Sequence, residues 1–147
     1  MKGAALLDVN VLVALFDPAH PHHEAAHGWF GEHRAKGWAT CAVTEMGCAR
    51  VLANPRYPTL RVTVEQAVNH LRILCSARDH VFWAGDVSLT DEAVLDAGLI
   101  AGHIAITDSY LLALAVRNKG RLVTFDRALA GNGAAAGGGL GHVVMLG

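Results

Sequence analysis

Short unbroken apolar runs alternate along this chain with longer stretches in which apolar residues recur every three or four positions, the signature of strands interleaved with helices. Ala4 to Leu7 reads as a first strand, stopped by Asp8, and Val11 to Phe16 as a short helix ended by Asp17-Pro18. Pro21 can open a helix through Glu24, Ala26, Trp29 and Phe30 to His33, with Gly37 as its C-terminal stop. Trp38 to Cys41 is the second strand. A helix from Val43 or Thr44 to Leu52 closes at Asn54-Pro55, because the residue before a proline disfavours helical geometry. Thr63 and Gln66 have the spacing of a capping box, and Val64, Ala67, Val68, Leu71, Leu74 and Cys75 fall on one helical face. Val81 to Trp83 is a third strand, Thr90 to Ala97 carries the capping signals of a helix, and 99–106 is too broken by glycine to assign. Thr107-Asp108 would cap a strongly apolar helix from Tyr110 to Val116, followed by a fourth strand, Arg121 to Phe125. Gly131 to Gly141 reads as a mobile glycine- and alanine-rich loop before a last strand, His142 to Leu146. The alternation predicts an α/β fold with a central, mainly parallel sheet and helices on both faces. No repeat or second domain interrupts it, so residues 1–147 are expected to form one domain.

Four acids sit where strand-like runs hand over to turns or helices: Asp8 after Ala-Ala-Leu-Leu, Glu45 after Cys-Ala-Val-Thr, Asp108 after Ile-Ala-Ile-Thr and Asp126 after Leu-Val-Thr-Phe. If those runs are parallel strands of one sheet, the acids meet at its carboxyl edge, where open α/β sheets bind ligands. Each has an ordinary reading of its own. Asp8 and Thr107-Asp108 suit helix caps, Glu45 suits a helix's first turn, and Asp126 before Arg127 suits a turn. Together they are costly, since two like charges about 4 Å apart repel by roughly 1 to 4 kcal/mol between bulk water and a protein surface. A hard divalent cation such as Mg²⁺ or Mn²⁺ supplies the missing counter-charge through oxygen ligands, and such a site can activate water and steady a phosphodiester transition state. Asn10, two residues after Asp8, could orient a carboxylate or a metal-bound water; Thr107 is the other supporting candidate.

Composition alters this picture little. The chain is 52% hydrophobic and 17% charged, which excludes a disordered protein and leaves a sparingly charged surface that suits a partner. A formal net charge of −1 would disfavour nucleic-acid binding, but acids neutralised by metal leave a net basic remainder, and arginines crowd the central stretch from Arg34 to Arg78. Cys41, Cys48 and Cys75 lack CxxC spacing and read as thiols in a reducing compartment. The first apolar run is too short for a signal peptide and no run spans a membrane, so a soluble cytoplasmic protein is expected.

At Leu-Leu-Asp8-Val-Asn10-Val-Leu-Val-Ala-Leu-Phe, Thr44-Glu45, Thr107-Asp108-Ser-Tyr-Leu-Leu-Ala-Leu-Ala and Leu-Val-Thr-Phe-Asp126-Arg, the chain resembles the PIN-domain ribonucleases, in particular the VapC toxins of bacterial toxin–antitoxin modules. These segments span almost the whole chain in the family's order. The resemblance implies a PIN-like α/β/α sandwich and Mg²⁺- or Mn²⁺-dependent cleavage of RNA to products with 5′ phosphate and 3′ hydroxyl. It also implies a cognate VapB-type antitoxin and a homodimer. By position, Asp8, Glu45, Asp108 and Asp126 match the family's acidic quartet as catalytic metal ligands, and Asn10 its first-motif polar residue. Ser109 departs from the alanine frequent there.

The remaining candidates read more plainly. His20, His22, His23 and His27 include an i, i+4 pair, yet no third ligand makes a zinc site, and a loop or surface role fits them, with His22 within reach of RNA. Trp29, Phe30 and Trp38 suit a core or a partner; Arg56 and Arg61 flank Tyr57 in a loop that could touch phosphate. A non-catalytic RNA-binding or interaction module is the alternative, against which the complete quartet argues. A haloacid-dehalogenase-type phosphohydrolase lacks its second aspartate in Asp8-Val-Asn10.

Overall fold

The computed structural model describes residues 3–129 and 139–147. Its strands are β1 Ala5–Leu7, β2 Trp38–Cys41, β3 His80–Trp83, β4 Arg121–Thr124 and β5 Val143–Met145. They form one sheet in the order β3-β2-β1-β4-β5, and every neighbouring pair is parallel. The helices are α1 Val9–Phe16, α2 His23–His33, α3 Ala42–Ala53, α4 Val64–Cys75 and α5 Ala105–Arg117.

Alternate strand residues face opposite ways, and the core divides accordingly. Ala5, Leu7, Trp38 and Val123 pack with α1, α2, α3 and α4, whereas Ala4, Leu6, Ala39 and Leu122 pack with α5. Burial on both faces explains why the strands read as unbroken apolar runs. The chain lays down β1, β2 and β3 in one direction and then returns to place β4 on the other side of β1. Right-handed crossovers in opposite directions put their helices on opposite faces, which is how α5 becomes separated from the rest. Full burial of a leucine such as Leu7, Leu12 or Leu112 stabilises the sandwich by about 1.5 to 3 kcal/mol each.

The strand and helix order follows the sequence expectation; three local features differ. Residues 90–97 form turns, with only a short 3-10 segment at Ala97–Leu99. The reason is local: Asp91 accepts the Ala93 N–H (3.0 Å) and Asp96 the Gly98 N–H (3.1 Å), side-chain bonds that compete with a helix. Helix α5 starts at Ala105, so Thr107 and Asp108 lie within its first turn instead of capping it. Pro21 lies in a turn, and α2 begins at His23. The expected loop from Gly131 to Gly141 falls largely outside the described residues; Gly139–His142 is a short 3-10 turn.

The histidine cluster has a structural explanation. His23 Nδ1 and His27 Nε2 bond the carbonyls of Ala14 (2.7 Å) and Leu15 (2.9 Å), satisfying acceptors that the end of α1 leaves free. Phe30 and Trp38 pack edge to face in the core at 5.1 Å. Among the described residues no helix is long and apolar enough to cross a membrane.

Candidate metal centre

Strand order reverses between β1 and β4, and at such a switch point the neighbouring chain segments diverge to leave a crevice at the carboxyl edge. Asp8 leaves β1 there, and Asp126 follows β4 by two residues. The first turn of α5 brings Asp108 to them. All three line one open groove of about 330 Å³, with Asn10, His20 and Tyr57 at its borders.

Asp8 is only 5% exposed. Its Oδ1 accepts the Val9 N–H at 2.8 Å and so caps α1, and its Oδ2 accepts the Thr124 hydroxyl at 2.7 Å. Thr124 Oγ1 in turn accepts the Asn10 amide (3.3 Å) and the Asp126 N–H (3.0 Å). Asn10 Oδ1 accepts the Phe125 N–H at 3.2 Å, which ties α1 to the end of β4. Asp126 accepts the Ala128 N–H at 2.9 Å, so it is also the turn residue its sequence context suggests.

Electrostatics report the crowding. Burial raises the pKa of Asp8, and the charge of Asp126 adds to it, against the hydrogen bonds from Thr124 and Val9. Asp108 is pushed up to about 7 by burial first, then by the charges of Asp8 and Asp126 and by the hydrogen bond its protonated form gives to Asp126. An oxygen-only donor set that cannot ionise fully by itself fits a hard divalent cation.

Glu45 is placed differently. Its Oε2 accepts the buried Thr40 hydroxyl at 2.6 Å, and Thr40 Oγ1 also lies 2.8 Å from His80 Nε2 and 3.9 Å from Cys75 Sγ. Glu45 borders a separate depression of about 360 Å³ between α3 and α4, and is not among the residues lining the acid groove. Burial and the charge of Glu45 raise the Cys75 pKa, opposed by the Thr40 hydrogen bond, whereas burial lowers that of His80 against the charge of Glu45. Thr107 is exposed and lines a shallow apolar hollow with Val43, Leu89 and Tyr110, away from the acids.

Thr124 was not singled out by the sequence, nor were His20 and Tyr57 as neighbours of the acids. A threonine in Leu-Val-Thr-Phe reads as strand propensity. Tyr57 hydrogen-bonds the fully buried Asp17 at 2.6 Å, and Thr59 bonds the same oxygen. Arg61 is held by the carbonyls of Tyr57 and Leu60, which pins the loop.

A family model for the PIN domain matches residues 5–133, taking in all three groove acids and Glu45. The chain belongs to the PIN-domain family. This PIN domain is 45% identical over 126 residues to Ribonuclease VapC44 of Mycobacterium tuberculosis, a match covering 86% of the chain and 88% of that relative. It is 44% identical over 131 residues to Ribonuclease VapC39 of the same organism, covering 89% and 94%. Ribonuclease VapC38 matches at 45% over 122 residues, covering 83% and 84%. The five-stranded parallel sheet with helices on both faces agrees with the expected PIN-like sandwich.

Proposed function

We propose that this PIN domain is a divalent-metal-dependent endoribonuclease, the toxin of a type II toxin–antitoxin pair, hydrolysing RNA phosphodiesters to restrain translation or growth. The observation that carries the reading is the convergence of Asp8, Asp108 and Asp126 in one open groove, with Asp108 pushed up to about 7 by burial and then by the charges of Asp8 and Asp126. The names of the VapC relatives support it. Asp8, Asp108 and Asp126 would hold Mg²⁺ or Mn²⁺, and Glu45 is assigned to the same site by its place in the family pattern. A bound dication supplies the counter-charge, polarises the scissile phosphate and activates water. The chain's own residues then position the site: Thr124 fixes the Asp8 carboxylate, and Asn10 locks the backbone that carries Asp126. The groove is open to solvent, and His20 and Tyr57 are among the residues that line it.

The toxin reading also calls for an antitoxin that covers apolar surface, and for a homodimer in the cytoplasm. Met46 (58% exposed), Val64 (66%), Val68 and Ile73 (65%) on α3 and α4, with Ile104 and Ile106 at the start of α5, are apolar side chains such partners would bury.

Cleavage of RNA by the purified chain, with Mg²⁺ and with chelator, tests the reading alongside Asp8→Asn and Asp108→Asn. Each variant is expected to lose about a hundredfold or more in rate while keeping the parent's circular dichroism. Undiminished cleavage by either folded variant, or cleavage indifferent to chelator, overturns it. A folded, RNA-binding but inactive parent would instead favour the non-catalytic module.

A further inference from the structure

The groups around Thr40 do not line the acid groove in this structure, and their chemistry differs from it. Glu45 on α3, Cys75 at the end of α4 and His80 at the start of β3 each offer one ligand atom, and these atoms all lie within 4.8 Å of one another. Three separate elements supply them, held by the parallel pairing of β2 with β3 and the packing of α3 on α4. Ligand atoms on a tetrahedral zinc stand about 3.3 to 3.8 Å apart, given metal–ligand distances of about 2.0 to 2.3 Å. Closing the present spacing takes side-chain movements of about 1 Å or less, with no change of fold.

Thr40 Oγ1 now contacts all three, 2.6 Å from Glu45, 2.8 Å from His80 and 3.9 Å from Cys75. Its single hydroxyl hydrogen goes to Glu45, leaving the oxygen to accept from His80 Nε2–H. The hydrogen-bonded arrangement is thus the metal-free alternative to a coordinated one. Glu45 and Cys75 also border the depression between α3 and α4, which gives an ion a path from solvent. Arg72, at the rim, is engaged by Asn69 at 3.2 Å.

We propose that Glu45, Cys75 and His80 form a second metal site, selective for zinc or a comparably soft dication over magnesium, and that its occupation keeps Glu45 out of the acid groove. Thiolate and imidazole favour zinc, whereas the all-oxygen groove favours Mg²⁺ or Mn²⁺, so the two sites sort ions by ligand type. Binding expels the Cys75 thiol proton and selects the His80 tautomer with Nε2 bare; water or the Thr40 hydroxyl takes the fourth position. The binding claim stands on this geometry alone. Its inhibitory consequence rests on the nuclease reading, in which Glu45 serves the acid groove.

Cobalt(II) titration of the full chain under reducing conditions separates the two. The expected result is one equivalent giving a thiolate-to-cobalt charge-transfer band and intense tetrahedral d–d absorption, both displaced by zinc. Cys75→Ser and His80→Gln should each weaken this binding by about tenfold or more, while Asp108→Asn leaves the band in place. No thiolate band in the parent, or an undiminished band in Cys75→Ser, overturns the site. In an RNA cleavage assay at fixed Mg²⁺, Cys75→Ser should need about tenfold more zinc for half-inhibition than the parent. Equal zinc sensitivity, with the cobalt result intact, overturns the sequestration of Glu45 but not the site. A parent that binds cobalt through Cys75 yet cleaves no RNA refutes the nuclease reading instead.

Discussion

One oxygen of Thr124 joins three groups of the acid groove: it donates to Asp8 and accepts from the Asn10 amide and the Asp126 N–H. Thr124→Val keeps the shape and removes all three bonds. It is expected to cost about 2 to 3 kcal/mol in urea unfolding, since unpaired polar groups in this part-buried cluster lose about 1 to 3 kcal/mol each and groove water offsets some of that. Cleavage should fall with it, and Thr124→Ser should restore both; a valine variant matching the parent in stability and rate would remove Thr124 from the positioning role. At the same scale Asp8, Asp108 and Asp126 were legible because each interrupts an apolar context at a strand end or helix start. Glu45 was legible as an acid in the right order, but not in its partner. Only the register of β2 beside β3, which brings His80 near Thr40, reveals that its carboxylate has a competing set of contacts. Ser109, the one departure from the family pattern noted in sequence, is buried with no hydrogen-bond partner among the described residues.

Among the elements, local signals succeeded where the side chain and backbone agreed. Thr63 and Gln66 form the expected reciprocal capping box of α4 at 2.8 and 3.1 Å. They failed at 90–97, where Asp91 and Asp96 close turns of their own. The apolar face of α4 is only half used: Ala67 and Leu71 are buried, but Val64 and Val68 are exposed, which periodicity alone cannot distinguish. The β2 and β3 starts are joined by Asp79, which accepts from Arg34 Nε (2.7 Å) and Nη2 (3.1 Å) and from the Trp38 indole (2.7 Å). The Arg34 guanidinium, with the Trp38 bond, holds the Asp79 pKa below its ordinary 3.8 despite partial burial. A depressed folded pKa means the folded state binds fewer protons, so this stability is present above about pH 4 and is lost as pH falls through the folded value. Asp79→Asn should therefore destabilise by about 1 to 2 kcal/mol at pH 7, discounted for exposure, and the gap from the parent should close in unfolding curves taken below pH 4. A gap that persists unchanged into acid would contradict the ion-pair account.

For the whole molecule, the sheet order β3-β2-β1-β4-β5 is what turns scattered acids into a site, and the site then feeds back on stability. Asp108 is held near 7 in the fold but titrates near 3.8 when unfolded, so the folded state binds more protons between those values. Its contribution is full below about pH 4 and is lost as pH rises through about 7. A dication competes with that proton, so the rise in Tm on adding Mg²⁺ should be larger at pH 8 than at pH 6, and Asp108→Asn should reduce both the rise and its pH dependence. Thermal scans with and without chelator check this; a rise independent of pH would separate the metal from Asp108. The sequence by itself determined the strand and helix order, the parallel sheet and the order of the acids, because burial on both faces writes strands as apolar runs and their ends as polar breaks. Only the tertiary structure decided which acids meet. Strand register and the reversal at β1 and β4 fix distances between residues more than a hundred positions apart, and no local pattern carries that information.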